Sequence, residues 1–167
     1  MSAPPDHFDP LHRTDDVIVW ARAVLVQVDR IEVAMSGPEP DDEYPTRFVE
    51  SHLLFVVADH FIKAVERRPK ARGISELDPA TRGALQQLRD LFEHWENTRR
   101  KIRTDETKAL TKVRVFAPEA WPWTIAVGPD GSVLVSNSIH LGDLRRKVTT
   151  ILQQARSVRA ELEAELL

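Results

Sequence analysis

An arginine and a histidine five positions apart are the clearest chemically active pair in this sequence. Arg89 and His94 enclose two carboxylates, Asp90 and Glu93, within the segment RDLFEH. On an ideal helix, about 100° per residue separates Arg89 and His94 by about 140°, so they flank one polar face. A guanidinium presents a fixed fork of donors to phosphate oxygens, and an imidazole exchanges protons near neutral pH.

Together these groups suit the attack of a ribose 2′-hydroxyl on the neighbouring phosphate, with Asp90 and Glu93 orienting Arg89 and His94. That reaction needs proton transfer and charge stabilisation but no metal ion. The competing interpretation is a solvated helix face on which Arg89 and Glu93 form an ordinary i,i+4 ion pair. The sequence leaves both interpretations open.

The helix that carries this segment has a well-marked start. Asp78 is predicted to cap it and Pro79 to occupy its first position, where a missing N–H costs nothing. One side of this helix is apolar and is predicted to be buried: Leu85, Leu88, Leu91, Phe92 and Trp95. The polar side continues beyond His94 into candidate contacts for RNA phosphates: Asn97, Arg99, Arg100 and Lys101. The three cations among these residues also complement the helix dipole, an equally simple explanation for them.

The remaining pattern predicts a mainly α fold, a four- to five-helix bundle with a small β-hairpin before the C-terminal helix. Residues 1–13 are expected to form a flexible tail and residues 14–167 a single helical domain. Thr14 is predicted to cap the first helix, which runs to Met35, and a second helix is predicted from about Pro45 to Arg68. The hairpin is placed at about 124–135, around a Gly-Pro-Asp-Gly turn. The last helix begins near Leu141, and its cations Arg145, Arg146 and Lys147 are expected to face solvent.

The segment around Arg89 resembles the signature of the HEPN superfamily (higher eukaryote and prokaryote nucleotide-binding domains). That signature is an arginine, a polar residue, three to five further residues and a histidine, and Arg89, Asp90 and His94 occupy its three positions. HEPN domains are helical bundles that carry the motif on a late helix, as predicted here. The resemblance covers six residues closely and the architecture loosely.

The resemblance implies a metal-independent endoribonuclease of toxin or defence type, needing no cofactor and acting as a homodimer that pairs two motifs. It also implies partners: RNA, and a cognate antitoxin or nucleotidyltransferase. Other members of the superfamily have no demonstrated cleavage. The alternative function is therefore a non-catalytic helical binding or dimerisation module, such as an accessory or antitoxin-like subunit.

Composition limits these functions further. The 167 residues include no cysteine, which excludes disulfides and thiolate metal sites. A net charge of −3 argues against binding nucleic acid by bulk electrostatics alone. His52 and His60, together with Asp59, could suggest a metal site. The two histidines would lie about 12 Å apart along a helix, too far for one metal ion, so no metal site is expected. The N-terminus lacks the pattern of a secretion signal, and no apolar run reaches the length of a membrane span, so a cytoplasmic location is expected.

Overall fold

The computed structural model describes residues 10–36, 43–93, 125–127, 131–136 and 138–167. Within them lie the helices α1 (Pro10–Ser36), α2 (Glu43–Arg67), α3 (Pro79–Glu93) and α4 (Leu141–Ala164), with a 3-10 turn at Lys70–Arg72. Three short strands precede α4: β1 (Ile125–Val127), β2 (Val133–Val135) and β3 (Ile139–His140). The predicted fold class, mainly helical with a small hairpin before the last helix, is confirmed. The predicted turn residues 128–130 lie outside the described residues.

Helix α1 lies between α2 and α4 and is antiparallel to both. Against α2, Trp20 contacts His60 while Gln27 contacts Glu50, so positions rise on one helix as they fall on the other. Against α4, Arg159 pairs with Asp15 near one end of α1, and Arg145 pairs with Asp29 and Glu32 near the other. Arg145 therefore ties two helices together, and the expectation that it faces solvent was wrong.

The core is one cluster of apolar side chains to which all four helices and the sheet contribute. The stripes expected from the sequence are largely buried: Val17, Ala21, Val24, Val28 and Ile31 on α1, and Leu144, Val148, Ile151, Ala155, Val158 and Leu162 on α4. Trp20, expected within the α1 stripe, is only partly buried. Apolar residues repeating every three to four positions thus specified the buried sides of these helices.

The first helix starts earlier than the sequence indicated. It begins at Pro10, so residues 10–13, assigned to a flexible tail, belong to α1. Thr14 was expected to cap this helix from outside. Instead it is fully buried, and its hydroxyl donates to the carbonyl of Pro10 at 2.8 Å, one turn back within the helix. A threonine hydroxyl satisfied in this way supplies no cap.

The sheet has the order β1-β2-β3, with antiparallel neighbours. Ile125 pairs with Val135, and Val135 pairs with Ile139 on its other side. These three side chains are buried and form the inner face of the sheet. The hairpin of β1 and β2 was predicted, whereas the two-residue strand β3 was not, because so short a segment has no detectable alternation.

Asp78 caps α3 as predicted, with Pro79 at the first helical position. The backbone N–H of Thr81 donates to Asp78 Oδ1 at 2.9 Å, and Lys147 from α4 lies 2.6 Å from Asp78 Oδ2. The bond from Lys147 and those from Thr81 lower the pKa of the Asp78 carboxyl well below its usual range. Lys147, also expected to face solvent, therefore joins α4 to the start of α3.

We expect Asp78→Ala to lower the free energy of unfolding by about 1 kcal/mol at neutral pH, because it removes the cap. Asp78→Asn keeps a capping oxygen and loses only the charge facing Lys147, so it should cost less. The pKa of Asp78 is lower in the folded protein than in the unfolded chain, where it is about 3.9. The negative charge of Asp78 therefore stabilises the fold above that pH, and this stabilisation is lost as the pH falls through the folded-state pKa. Urea denaturation of both variants from pH 7 downward should show the cost of Asp78→Asn shrinking below about pH 4. A cost that grows on acidification would contradict this assignment.

Candidate functional site

Arg89 lies on the side of α3 that faces α2. Its Nη1 is 3.4 Å from Oδ1 of Asp59, a carboxylate on α2 whose side chain is only 7% exposed. Arg82, two turns earlier on α3, similarly faces Glu66 of α2, at 3.7 Å. These two contacts fix α2 and α3 as antiparallel neighbours, and they place the Arg89 guanidinium, with its side chain 28% exposed, at the rim of the core.

Glu93 occupies the donor fork of Arg89. Nε donates to Oε1 at 3.0 Å and Nη2 donates to Oε2 at 2.7 Å, a bidentate arrangement one helical turn along α3. These hydrogen bonds are the main reason why the pKa of the Arg89 guanidinium is raised above its already high usual value. The i,i+4 ion pair foreseen in the competing interpretation is therefore present.

Asp59 holds a second cation, Lys63, whose Nζ lies 2.7 Å from Oδ2 one turn further along α2. One nearly buried carboxylate thus has a cation at each oxygen. We call Asp59, Lys63, Arg89, Asp90 and Glu93 the Arg89 cluster. Asp90 is its loosest member, with Oδ1 3.8 Å from Arg89 Nη1, beyond hydrogen-bond distance, and its side chain 66% exposed.

Sequence reasoning identified Arg89, Asp90 and Glu93 but not their partners on α2. Asp59 had been considered only as a metal ligand beside His52 and His60. The usable signal was a carboxylate followed four residues later by a lysine, Asp59 and Lys63, in a helix rich in apolar residues. Nothing in the sequence indicated that Arg89 would be the second cation at Asp59, because that contact depends on how α3 packs against α2.

The other predicted site residues follow Glu93 in the sequence. His94, Asn97, Arg99, Arg100 and Lys101 lie outside the described residues. Whether the imidazole of His94 approaches the Arg89 guanidinium therefore stays a prediction. The same holds for the expected contacts of the three cations with RNA.

The histidines of α2 form part of a different contact. The ring of His60 stacks on Trp20 of α1, with ring centroids 4.3 Å apart and planes 12° from parallel. Asp59, next to it in sequence, is directed instead towards Lys63 and Arg89. Within the described ranges, no group of three or more potential ligands could hold a metal ion.

No protein-family model matches this sequence, and comparisons with curated proteins and with solved structures find no match. The resemblance to HEPN domains therefore depends on Arg89, Asp90 and His94 and on the helical architecture alone. Among the described helices, none is both long enough and apolar enough to cross a membrane.

We expect Asp59→Asn and Arg89→Gln each to destabilise the protein, since each leaves the other group partly desolvated with one partner fewer. A double-mutant cycle measured by urea denaturation should give a coupling of about 0.5–3 kcal/mol, the range for residues in one hydrogen-bond or salt-bridge network. Arg82→Gln is the matched control, because Arg82 occupies the same side of α3 and faces a carboxylate, Glu66, that is 47% exposed. Its cost should stay below about 1 kcal/mol. Equal costs for Arg89→Gln and Arg82→Gln would show that the contact with Asp59 adds nothing.

Proposed function

We propose that this protein is a metal-independent endoribonuclease whose phosphate-binding group is Arg89. The observation that supports this is the way Arg89 is held. Asp59, nearly buried, contacts Nη1 from the α2 side. Among the described residues, the fork of Nε and Nη2 is occupied by Glu93 alone, and the Glu93 side chain is 36% exposed. An ion pair near the protein surface contributes at most about 1 kcal/mol, so an incoming phosphodiester, which offers the same fork two oxygens, can replace Glu93.

In the proposed reaction the 2′-oxygen of a ribose attacks the adjacent phosphorus. A bond forms between the 2′-oxygen and phosphorus, and the bond between phosphorus and the 5′-oxygen breaks. The 2′-hydroxyl loses its proton, and the departing 5′-oxygen gains one. His94 acts as the general acid or base in these proton transfers, and Arg89 stabilises the pentacoordinate phosphate. The products carry a 2′,3′-cyclic phosphate and a 5′-hydroxyl.

The proposal extends to binding and partners by resemblance. Asn97, Arg99, Arg100 and Lys101 would contact RNA phosphates beyond His94, since backbone phosphates take most protein contacts to nucleic acids. A homodimer would bring two motifs to one substrate. A cognate antitoxin or nucleotidyltransferase would restrain the activity in the cytoplasm.

A second function, a non-catalytic helical binding or dimerisation module, is favoured by the charge of the same cluster. Arg89 and Lys63 are outnumbered by the carboxylates of Asp59, Asp90 and Glu93. That excess of negative charge opposes the approach of a phosphodiester. In this alternative the cluster serves only to join α3 to α2, and Arg89 has no substrate.

Incubation of labelled RNA with purified protein in EDTA distinguishes the two functions. We expect the wild type to cleave and His94→Ala to be about 10²–10⁴-fold slower, the usual contribution of positioned proton transfer. Arg82→Gln should cleave like the wild type, because Arg82 lies two turns from the cluster. Product ends should be 2′,3′-cyclic phosphates. If wild type and His94→Ala behave alike, the enzyme proposal fails and the binding module is left.

The role of Glu93 has its own test with RNA that carries 2′-O-methyl groups, which cannot be cleaved. Glu93→Gln removes the charge that competes for the fork of Arg89, so we expect it to tighten binding several-fold relative to the wild type. Asp143→Asn is the matched control, since Asp143 is also an exposed carboxylate paired with an arginine three residues on, Arg146. An equal gain in both variants would indicate a general effect of net charge and would remove Arg89 as the specific phosphate ligand.

A further inference from the structure

A pair of stacked rings lies on the outer surface where α1 and α2 meet. The imidazole of His60 lies face to face with the indole of Trp20, with ring centroids 4.3 Å apart. Trp20 is partly buried against the core, whereas His60 is exposed. We call these two side chains the ring stack. Since Trp20 covers one face of the imidazole from the side of the core, the other face of the imidazole is directed outward.

The two helices do not depend on the ring stack for their packing. They are already joined by apolar side chains that are fully buried: Val17, Ala21 and Val24 on α1, and Ala58 and Phe61 on α2. Stabilisation by apolar contact grows with the area that is removed from water. Because His60 stays exposed, its ring adds less to this packing than those side chains do. The outer face of the imidazole is therefore available to a planar ligand.

A cation lies one turn beyond the ring stack along α2. Lys63 follows His60 by three residues, a spacing that makes two helical side chains neighbours. Its Nζ lies 2.7 Å from Oδ2 of Asp59, and its side chain is 44% exposed. An ammonium group has three donors, so Lys63 can contact a ligand while it remains paired with Asp59. A flat ring surface with a cation beside it suits a base that is attached to a phosphate.

A second cation continues the same side of α2. Arg67 lies seven residues after His60, close to two helical turns and about 10 Å along the axis. It is exposed, and its guanidinium forms no ion pair within the described part of the chain. The phosphates on either side of a base that occupies the ring stack would therefore approach Lys63 and Arg67.

The ring stack adjoins the Arg89 cluster through Asp59. One oxygen of Asp59 contacts Lys63, and the other lies 3.4 Å from Nη1 of Arg89. His60 is the next residue of α2 after Asp59, so its side chain projects about 100° around the helix from that carboxylate. A strand of RNA bound at Arg89 can thus reach the ring stack by crossing the exposed side of α2 past Lys63.

We propose that the ring stack is a subsite for one unpaired base of a single-stranded RNA, with Lys63 donating to the adjoining phosphate. The base stacks on the outer face of His60, and Trp20 supports the imidazole from the side of the core. The proposal takes RNA as the ligand and in that respect rests on the proposed function. Every base has a flat face, so the subsite favours single-stranded over duplex RNA and does not read sequence.

Binding of a single-stranded 2′-O-methyl oligoadenylate, which cannot be cleaved, tests the subsite against an abasic oligomer of the same length. His60→Leu still covers Trp20 but offers no flat ring. It should weaken binding of the oligoadenylate about 5- to 150-fold, the equivalent of about 1–3 kcal/mol for one stacked base. His60→Phe keeps a flat ring and should bind at least as tightly as the wild type. Neither variant should change the weaker binding of the abasic oligomer, and fluorescence anisotropy of end-labelled oligomers measures each affinity.

His140→Leu is the matched control, because His140 is also an exposed histidine and its side chain does not cap α4. It should leave the affinity for the oligoadenylate unchanged. Equal affinities of the wild type and His60→Leu would overturn the proposal, as would an equal loss in His60→Leu and His60→Phe. A wild type that binds the oligoadenylate no better than the abasic oligomer would also overturn it.

This experiment and the cleavage assay can fail separately, because the 2′-O-methyl oligomer reports binding without chemistry. If His94→Ala cleaves RNA like the wild type while His60→Leu loses affinity for the oligoadenylate, the enzyme proposal fails and the subsite stands. If the wild type cleaves RNA while His60→Leu binds unchanged, the subsite fails and the enzyme proposal stands.

Discussion

The burial of one side of α1 between two antiparallel helices is the constraint on which this structure depends. Val17, Ala21, Val24, Val28 and Ile31 are removed from water together, and α2 and α4 supply the apolar surfaces that cover them. Because α2 is fixed by this contact, Asp59 is fixed at the margin of the core, ready to receive a cation from α3. The position of Arg89 therefore follows from the packing of a helix that it does not touch.

Much of the fold could be predicted from periodicity, and the failures have physical causes. Local signals in the sequence were sufficient for the buried sides of α1 and α4, where apolar residues recur every three to four positions. They were also sufficient for the start of α3, because Asp followed by Pro is typical of a helix N-terminus. Thr14 misled because the same hydroxyl can cap a helix from outside or bond back to a carbonyl within it. Arg145 and Lys147 were taken as solvated because a sequence does not show which carboxylates a neighbouring helix will bring to them.

The contacts of the candidate site within α3 could be predicted from the sequence, whereas its contacts with α2 could not. The spacing of Arg89 and Glu93 within one helix was sufficient to foresee their ion pair, because i,i+4 geometry is fixed by the helix itself. The participation of Asp59 and Lys63 was not foreseen, since it requires the register of α3 against α2. That register gives Arg89 two roles: it helps to hold α3 in place, and its fork faces outward. The proposed binding of phosphate would use this arrangement, because Asp59 would still contact the guanidinium if Glu93 were displaced.

The stacking of His60 on Trp20 has a practical consequence. The emission of an indole depends on the groups in contact with it, and the two stacked rings of His60 and Trp20 belong to α2 and α1 respectively. The emission of Trp20 is therefore sensitive to any separation of these helices. Since α1 and α2 meet along most of their lengths, their separation is a large part of unfolding, and Trp20, one of four tryptophans in the sequence, lies where its emission responds to that event.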